Sequence, residues 1–521
     1  MSLSIAMLIA GASGFIALSY EILWYRTFSL ATGGTAPIFA FVLGAYLYGL
    51  ASGSYVARLI SRATGRRSRR LIVSTAVFIV GANVVGYLVL PVGALGCTAG
   101  KCIIGLPAVA VAAALLGAVL PLVSHAAIAP DRMAGVKLSR IYAANILGSV
   151  GGTLATGYVL LDHLSTQSIA VVLLLAGVLV AGLPLLTREP PARLAASWMV
   201  VACLGAAAIV YVTQPLLATL HERLIFRSNY RPGVRFARTL ENRAGVINIT
   251  SEGRVFGGGV YDGYARVDLM EDPNILARIV AVPAFHQPPR RVLMIGLSMG
   301  AWAQVVANMP SVESLTIVEI NPGYLRLIPE YPDVASLLSN PKVSIVIDDG
   351  RRWLVRNPHE RFDLIVANVT FHWREHATNL LSLEFMQLVR SHLEPGGAYF
   401  YNATFSPEAF KTGLVAFPYG LRVVGFLAVS DRPLVFKPEI FASTLTSTRV
   451  NDRPLLDPRV PQQRRRMEEL TAQLAARGSA GSPPIFEDGA DLLQRLGDVR
   501  AVTDDNMAVE WSVLSGYTEQ P

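Results

Sequence analysis

Three short stretches in the second half of the chain carry residue types and spacings suited to chemistry. VLMIGLSMGA, from Val292, is a buried run that enters a turn containing Gly296, Ser298 and Gly300 and then continues as a helix. Glycine at such a turn lets backbone amides come close to a ligand at a strand's carboxyl end, where open parallel sheets bind. A tight strand-to-helix turn with no ligand is the alternative. In LTIVEINP the next strand ends on Glu319. A carboxylate about twenty residues after the glycine turn is placed to accept both hydroxyls of a ribose; otherwise it is a solvated acid at a strand end. IDDGRRWL closes a third strand with Asp349 and Gly350, which could receive an adenine amino group.

A fourth stretch, NVTFHWREHATN at 368–379, follows the next strand and gathers His372, Trp373, Arg374, Glu375 and His376 behind Asn368. Imidazole titrates near neutral pH, so His372 or His376 could act as a general base. Trp373, Arg374 and Glu375 could contact an aromatic or anionic substrate. No metal is expected, because His-xxx-His supplies two ligands where catalytic zinc takes three and an open position. An ordinary polar surface loop would have the same composition.

The elements that must hold these residues are read from periodicity. Apolar runs at 291–296, 314–320, 343–347 and 363–367 alternate with helices at 301–308, near 325 and at 351–356, which predicts a doubly wound, mostly parallel sheet. A helix is expected at 273–282. Upstream, GVINITSEGRVFGGGVYDGY from Gly245 alternates apolar and polar residues between glycines and reads as antiparallel strands of a small β-domain. The mixed-charge stretch 464–476 predicts a surface helix, and SAGSPP at 479–484 a linker.

The first 218 residues are different in kind. The 521-residue chain is 52% hydrophobic and only 16% charged, against about a quarter charged in ordinary soluble domains. That excludes a simple cytosolic enzyme and a disordered chain. Seven apolar stretches, at 3–29, 37–60, 71–92, 102–125, 141–161, 168–186 and 195–216, meet the roughly twenty residues needed to cross a bilayer. Small residues, as in GSVGGTLATG from Gly148, allow close helix packing. In the first stretch, Trp24 and Tyr25 predict an interfacial belt, and Glu21 a polar contact with another helix, near Arg140 or Asn145.

The formal charge of +8 comes largely from loops, so nucleic acid is not an expected partner. Arg58, Arg62, Arg66, Arg67, Arg69 and Arg70 occupy the second loop, Arg132, Lys137 and Arg140 the fourth, and Arg188 and Arg193 the sixth. Positive loops stay in the cytoplasm. Seven crossings then put the amino terminus inside and everything after residue 216 outside; one helix more or fewer reverses that side. Of three cysteines, Cys97 and Cys102 share a loop on this outer side, where a disulfide and two unpaired residues are equal alternatives.

VLMIGLSMGA, VEINP, DDGRRWL, FDLIVAN, LLSLEF and LEPGGAYF, in this order and spacing, resemble the spermidine synthase-like branch of the S-adenosylmethionine-type Rossmann transferases. VYDG at 260–263 is similar to that family's small amino-terminal β-domain. SGFIALSYEILWYR and YAANILGSVGG look like the helices fused to many bacterial members. The implied organisation is a multi-pass α-helical membrane bundle at 1–218, a linker and small β-domain at 219–285, and a Rossmann-like α/β domain at 286–521. The resemblance implies S-adenosylmethionine, or a decarboxylated or related adenosyl compound, bound by Gly296, Ser298, Gly300, Glu319, Asp349 and Gly350.

It also exposes departures. The family's proton-accepting carboxylate falls on Asn368, with Phe371 at the second acidic position; the acid of its glycine turn falls on Met299; its Tyr-His-Glu falls on Ile275, Leu276 and Ala277. An amide is no base at neutral pH. The expectation is therefore a membrane-anchored group transferase acting on a non-polyamine or membrane-delivered acceptor, with His372, His376 and Asn368 as catalytic candidates. The alternatives are an inactive nucleoside-binding or regulatory module on a membrane bundle, and a small-molecule transporter or sensor with a regulatory soluble domain. Expected partners are the inner-membrane bilayer, a small-molecule substrate and, as an option, a second copy in a homodimer.

Overall fold

The computed structural model describes residues 1–63, 69–186, 192–368, 371–475 and 486–511. Arg66, Arg67, Arg188 and the stretch 479–484 lie outside the described residues. The chain divides into two compact units, the first running essentially from Met1 to Val246 and the second from Ile247 onward, with residues 258–260 belonging to the first.

Among the described residues the first unit holds seven helices long and apolar enough to cross a membrane, by length and composition: α1 (Leu3–Thr32), α2 (Pro37–Ala63), α3 (Arg69–Thr98), α4 (Leu106–Ala127), α5 (Ala134–Ala155), α6 (Thr166–Gly182) and α7 (Ala192–Leu217). Ser2 caps α1 by accepting the Ile5 amide at 3.3 Å, and Gly33, at φ 74°, stops it in the left-handed conformation glycine tolerates. α5 begins earlier than its hydropathy suggested and continues through a π-turn, Thr156–Leu160, to His163.

Backbone proximity explains the small residues. A Cβ on Gly148 would run into the Gly11 carbonyl, one on Gly152 into that of Phe15, and one on Gly53 into that of Ala114. Helices α1 and α5, and α2 and α4, thus meet backbone to backbone.

Two expectations for α1 are corrected. Trp24 is 0% exposed and donates its indole N–H to the Gly86 carbonyl at 2.9 Å, while Tyr20 donates to the Asn83 carbonyl at 3.2 Å. Trp24 therefore belongs to the bundle core, because α3 offers its indole a buried acceptor. Asn145 does not meet Glu21; its side-chain amide donates to the Ala10 carbonyl at 2.9 Å. Arg26 reaches past α1 to donate to the carbonyls of Asn242 and Gly245 at 2.8 and 3.0 Å. Cys97 and Cys102 form a disulfide across the α3–α4 connection.

After α7 come the short helix α8 (Leu220–Phe226) and strand β1 (Arg238–Asn242). The buried Glu241 carboxylate of β1 accepts the Thr166 amide at 3.0 Å and lies 3.6 Å from His221 and 3.9 Å from Arg26.

Further along, β2 (Gly245–Ile249) and β3 (Arg254–Gly257) pair antiparallel, with Ile247 opposite Gly257, and β4 (Val260–Tyr264) follows. The expected helix at 273–282 is two short turns, Ala277–Val280 and Val282–Phe285. It cannot start earlier, because Ile275 has φ 52° and the Asp272 carboxylate takes the amides of Leu276 and Ala277.

The main sheet has eight strands. β5 (Arg291–Ile295), β6 (Ser314–Glu319), β7 (Val343–Ile347), β8 (Phe362–Ala367) and β9 (Leu393–Asn402) are parallel, in the order β7-β6-β5-β8-β9. β11 (Phe426–Ser430), β10 (Tyr419–Val423) and β12 (Phe486–Asp488) extend it antiparallel beyond β9. β5 is flanked on both sides, which its unbroken apolar run requires. The strand order reverses beside β5, so the switch point lies at the β5 turn. Among the described residues the 464–476 helix runs Pro461–Ala475.

Candidate nucleoside site

The glycine turn follows from backbone conformation. Gly296 and Gly300 have φ of 89° and 83°, and Ser298 has φ 49° between them, so the chain doubles back after β5 and starts a helix, α9 (Ala301–Ala307). A Cβ on Gly300 would stand 2.8 Å from Leu337 Cδ2.

Glu319, at the end of β6, turns into this bend and is only 5% exposed. Its Oε2 accepts the Leu297 amide at 2.7 Å and its Oε1 the Asn321 amide at 2.7 Å. Burial pushes the carboxyl up to about 7, while the backbone amides of Asn321, Leu297 and Ser298 pull it down. The carboxylate carries four lone pairs against three backbone amides, which leaves one for a ligand hydroxyl.

Beside it lies a polar cluster. Ser298 donates its hydroxyl to the Asp262 carbonyl at 2.7 Å. Tyr324, five residues after Glu319, donates its phenol to Asp262 Oδ2. Arg374 reaches the Gly257 carbonyl at 3.5 Å. Burial raises the Asp262 carboxyl, countered by Tyr324, Ser298 and the Arg374 charge. Asp262 stands in the VYDG run but had no assigned role, and Tyr324 gave no signal at all: its part depends on how the turn after β6 folds.

Asp349 and Gly350 lie at the end of β7, where Asp349 caps α10 (Gly350–Arg356) by accepting the Arg352 amide at 2.8 Å. Asp349 also lines an open cleft of about 570 Å³ with Arg351, Arg352, Arg356 and Asn379. The arginines there are paired: Arg351 with Asp504, and Arg352 and Arg356 with Asp348.

The loop after β8 is divided. His372 donates its amide to Thr404 Oγ1 at 3.1 Å and sets Nδ1 against the same oxygen at 2.7 Å; burial lowers its pKa. Trp373 is buried and stacks on Phe371 at 5.4 Å, a packing role. Glu375 is half-buried and His376 is exposed, with φ 66° and its amide capped by Glu510 at 3.1 Å. Among the described residues the hydrogen-bond partners of the two histidines, Thr404 and Glu510, lie outside the glycine turn. Asn368 is 3.5 Å from the Asn402 side-chain amide. Among the described residues no group of three or more His, Cys, Asp or Glu could hold a metal ion.

Residues 276–410 match the spermine/spermidine synthase domain family. A polyamine aminopropyltransferase 2 of Streptomyces coelicolor is 27% identical over 332 residues, 61% of this chain and 58% of that protein. Over this span the chain is spermidine synthase-like. The Hyperthermus butylicus polyamine aminopropyltransferase 2 is 36% identical over 168 residues, 28% of this chain and 54% of that one. The spermidine synthase of Thermotoga maritima superposes with a TM-score of 0.34 and 20% identity, covering 39% of this chain and 77% of that one. The chain thus spans between half and two thirds of the length of these two sequence relatives, 58% and 54%.

The matched span of this spermidine synthase-like chain contains the glycine turn, Glu319, Asp349 and the loop after β8. Its departures have physical consequences. Met299 is buried, so the turn presents no acid there. Leu276 and Ala277 are buried beneath the Asp272 cap, so a polar pair has no place on that face.

Proposed function

We propose that the chain is a membrane-anchored group transferase that binds S-adenosylmethionine, or a decarboxylated or related adenosyl compound, and serves an acceptor other than a polyamine. The observation that carries this reading is Glu319: a buried carboxylate held by the backbone amides of Leu297, Ser298 and Asn321, with a lone pair left for a ribose hydroxyl. The positive-φ turn at Gly296, Ser298 and Gly300 fits the close approach of such a ligand.

When bound, the sulfonium compound supplies an electrophilic carbon. The chain supplies position and proton acceptance. Glu319 orients the ribose, and Asp349 with Gly350 stands at the next strand end for the base. Asn368 cannot take a proton. His372, whose pKa burial lowers, is neutral at pH 7 and is the candidate acceptor through Nε2.

A second reading has its own support. The Cys97–Cys102 disulfide fits an oxidising compartment, and Arg58, Arg62 and Arg70 at one end of the bundle fit the cytoplasm. Both favour an inner-membrane protein with its amino terminus inside and the domain after α7 outside. Adenosyl cofactors are made within cells, so this topology, with Asn368 and Met299, supports a nucleoside-binding or regulatory module without turnover.

Calorimetry of the full chain in detergent with S-adenosylmethionine, its decarboxylated form and methylthioadenosine tests both readings. Binding of at least one is expected. Folded protein that binds none removes the nucleoside site altogether, and binding without turnover on any amine, carboxylate or lipid acceptor leaves the second reading.

A further inference from the structure

The polar cluster beside Glu319 has a feature that an amine-transfer site should lack. Asp262 and Glu319 are its carboxylates, and a cationic ligand would need one of them as its counter-ion. Gly257 locates a third charge. A Cβ on that glycine would stand 3.0 Å from Asp262 Oδ2 and 2.6 Å from the Tyr324 hydroxyl, and the Gly257 carbonyl faces Arg374 Nη1 at 3.5 Å. The guanidinium therefore sits half-buried within one residue's reach of Asp262, which is itself held by Tyr324 and by Ser298 of the glycine turn. We propose that Arg374 is an internal cation occupying the place of a ligand ammonium beside Asp262, so that the site takes a neutral or anionic acceptor and excludes polyamines.

The inference rests on the nucleoside reading only in that it treats this cluster as the acceptor side of the Glu319 site. Its physical basis is charge balance. A half-buried carboxylate that already takes the Tyr324 phenol and feels a nearby guanidinium has little left to offer a second cation, and an ammonium brought there meets like charge while losing its water. Exclusion comes from that repulsive element. It assigns Arg374 a specificity role, whereas its residue type alone suggested a direct substrate contact. The Arg374 charge also lowers the Asp262 carboxyl and the Tyr324 phenol, as a nearby cation must.

The test uses full-length protein in lipid nanodiscs, titrated with spermidine and putrescine, with methylthioadenosine titrated on the same samples. Wild type is expected to bind neither polyamine in the range where Arg374→Met does. The variant should gain roughly tenfold or more in spermidine affinity, the scale of one partly buried charge contact. Arg374→Lys, which keeps a cation, should exclude polyamines like wild type. Equal spermidine affinity in wild type and Arg374→Met, or no gain in a folded Arg374→Met, overturns the proposal. Should Arg374→Met fail to fold, Arg374→Gln, which keeps a donor for Gly257, carries the same comparison. Loss of methylthioadenosine binding in all samples, with the polyamine gain intact, would sink the nucleoside reading and leave this one standing.

Discussion

Glu319 is held in two opposing ways, and the balance makes it testable. Burial favours its neutral form, while the amides of Leu297 and Asn321, and any ribose hydroxyls, favour the carboxylate. With the folded-state value at about 7 against 4.5 unfolded, the folded protein binds the extra proton between those limits. Its stabilising contribution is complete below pH 4.5 and is lost as pH rises through 7, amounting to up to roughly 3 kcal/mol. Thermal melts of wild type and Glu319→Gln across pH 5 to 8 should show a decline in wild type that the variant lacks. Methylthioadenosine affinity should move oppositely, rising from pH 6 to 8 in wild type; a flat profile would mean that the carboxylate does not hold the ligand. Glu319 was legible in the sequence because strand-end position and distance from a glycine turn are one-dimensional facts. Asp262 and Tyr324 were not, since their meeting depends on a short β-hairpin and a helix turn converging. His372 and His376 looked equivalent in sequence, yet one sits against Thr404 and the other is solvent-exposed, because a left-handed residue and the Glu510 cap turn the loop between them.

At the scale of elements, the glycines do most to fix both units. Gly300→Ala would force a side chain into the left-handed region and bring Cβ to 2.8 Å from Leu337; it should cost about 1–3 kcal/mol and weaken nucleoside binding by displacing the Leu297 amide. A melting temperature within a degree of wild type would refute that account. In the bundle, Gly148→Val places carbons where the Gly11 carbonyl lies. It should separate α1 from α5 and lower the yield of folded protein in detergent more than Gly157→Val, where a Cβ meets nothing within 4 Å. Comparable yields for the two would deny the backbone contact. The run GSVGGTLATG announced close packing, but not which of its glycines touched a neighbour. Periodicity found four of the five parallel strands within a residue or two, because a continuous apolar run admits few alternatives inside a two-faced sheet; it did not mark β9, whose first half, LEPGG, is not apolar. The helix expected at 273–282 failed where a local competitor won: Asp272 captures amides that a longer helix would have used internally.

For the whole molecule the physical question is which compartment each loop meets, and two features bear on it independently. Loop arginines report the electrostatics of insertion, whereas the Cys97–Cys102 bridge reports redox environment. Both support the proposed cytoplasmic amino terminus, and the proposed outer side of the last domain then needs an odd number of crossings. The seven helices α1 to α7 satisfy that count by length and composition. A phosphatase reporter fused after Leu217 should then be active, and one fused after Ala63 inactive. On intact cells an impermeant maleimide should label Cys97 and Cys102 only after mild reduction, with Cys203 replaced by serine to remove the free thiol. The reverse fusion pattern would place the spermidine synthase-like domain in the cytoplasm, beside the supply of adenosyl compounds, and strengthen the transferase reading over the inactive module. The expected pattern would demand either that a nucleoside reaches the domain from outside or through the bundle, or that binding there serves recognition without turnover.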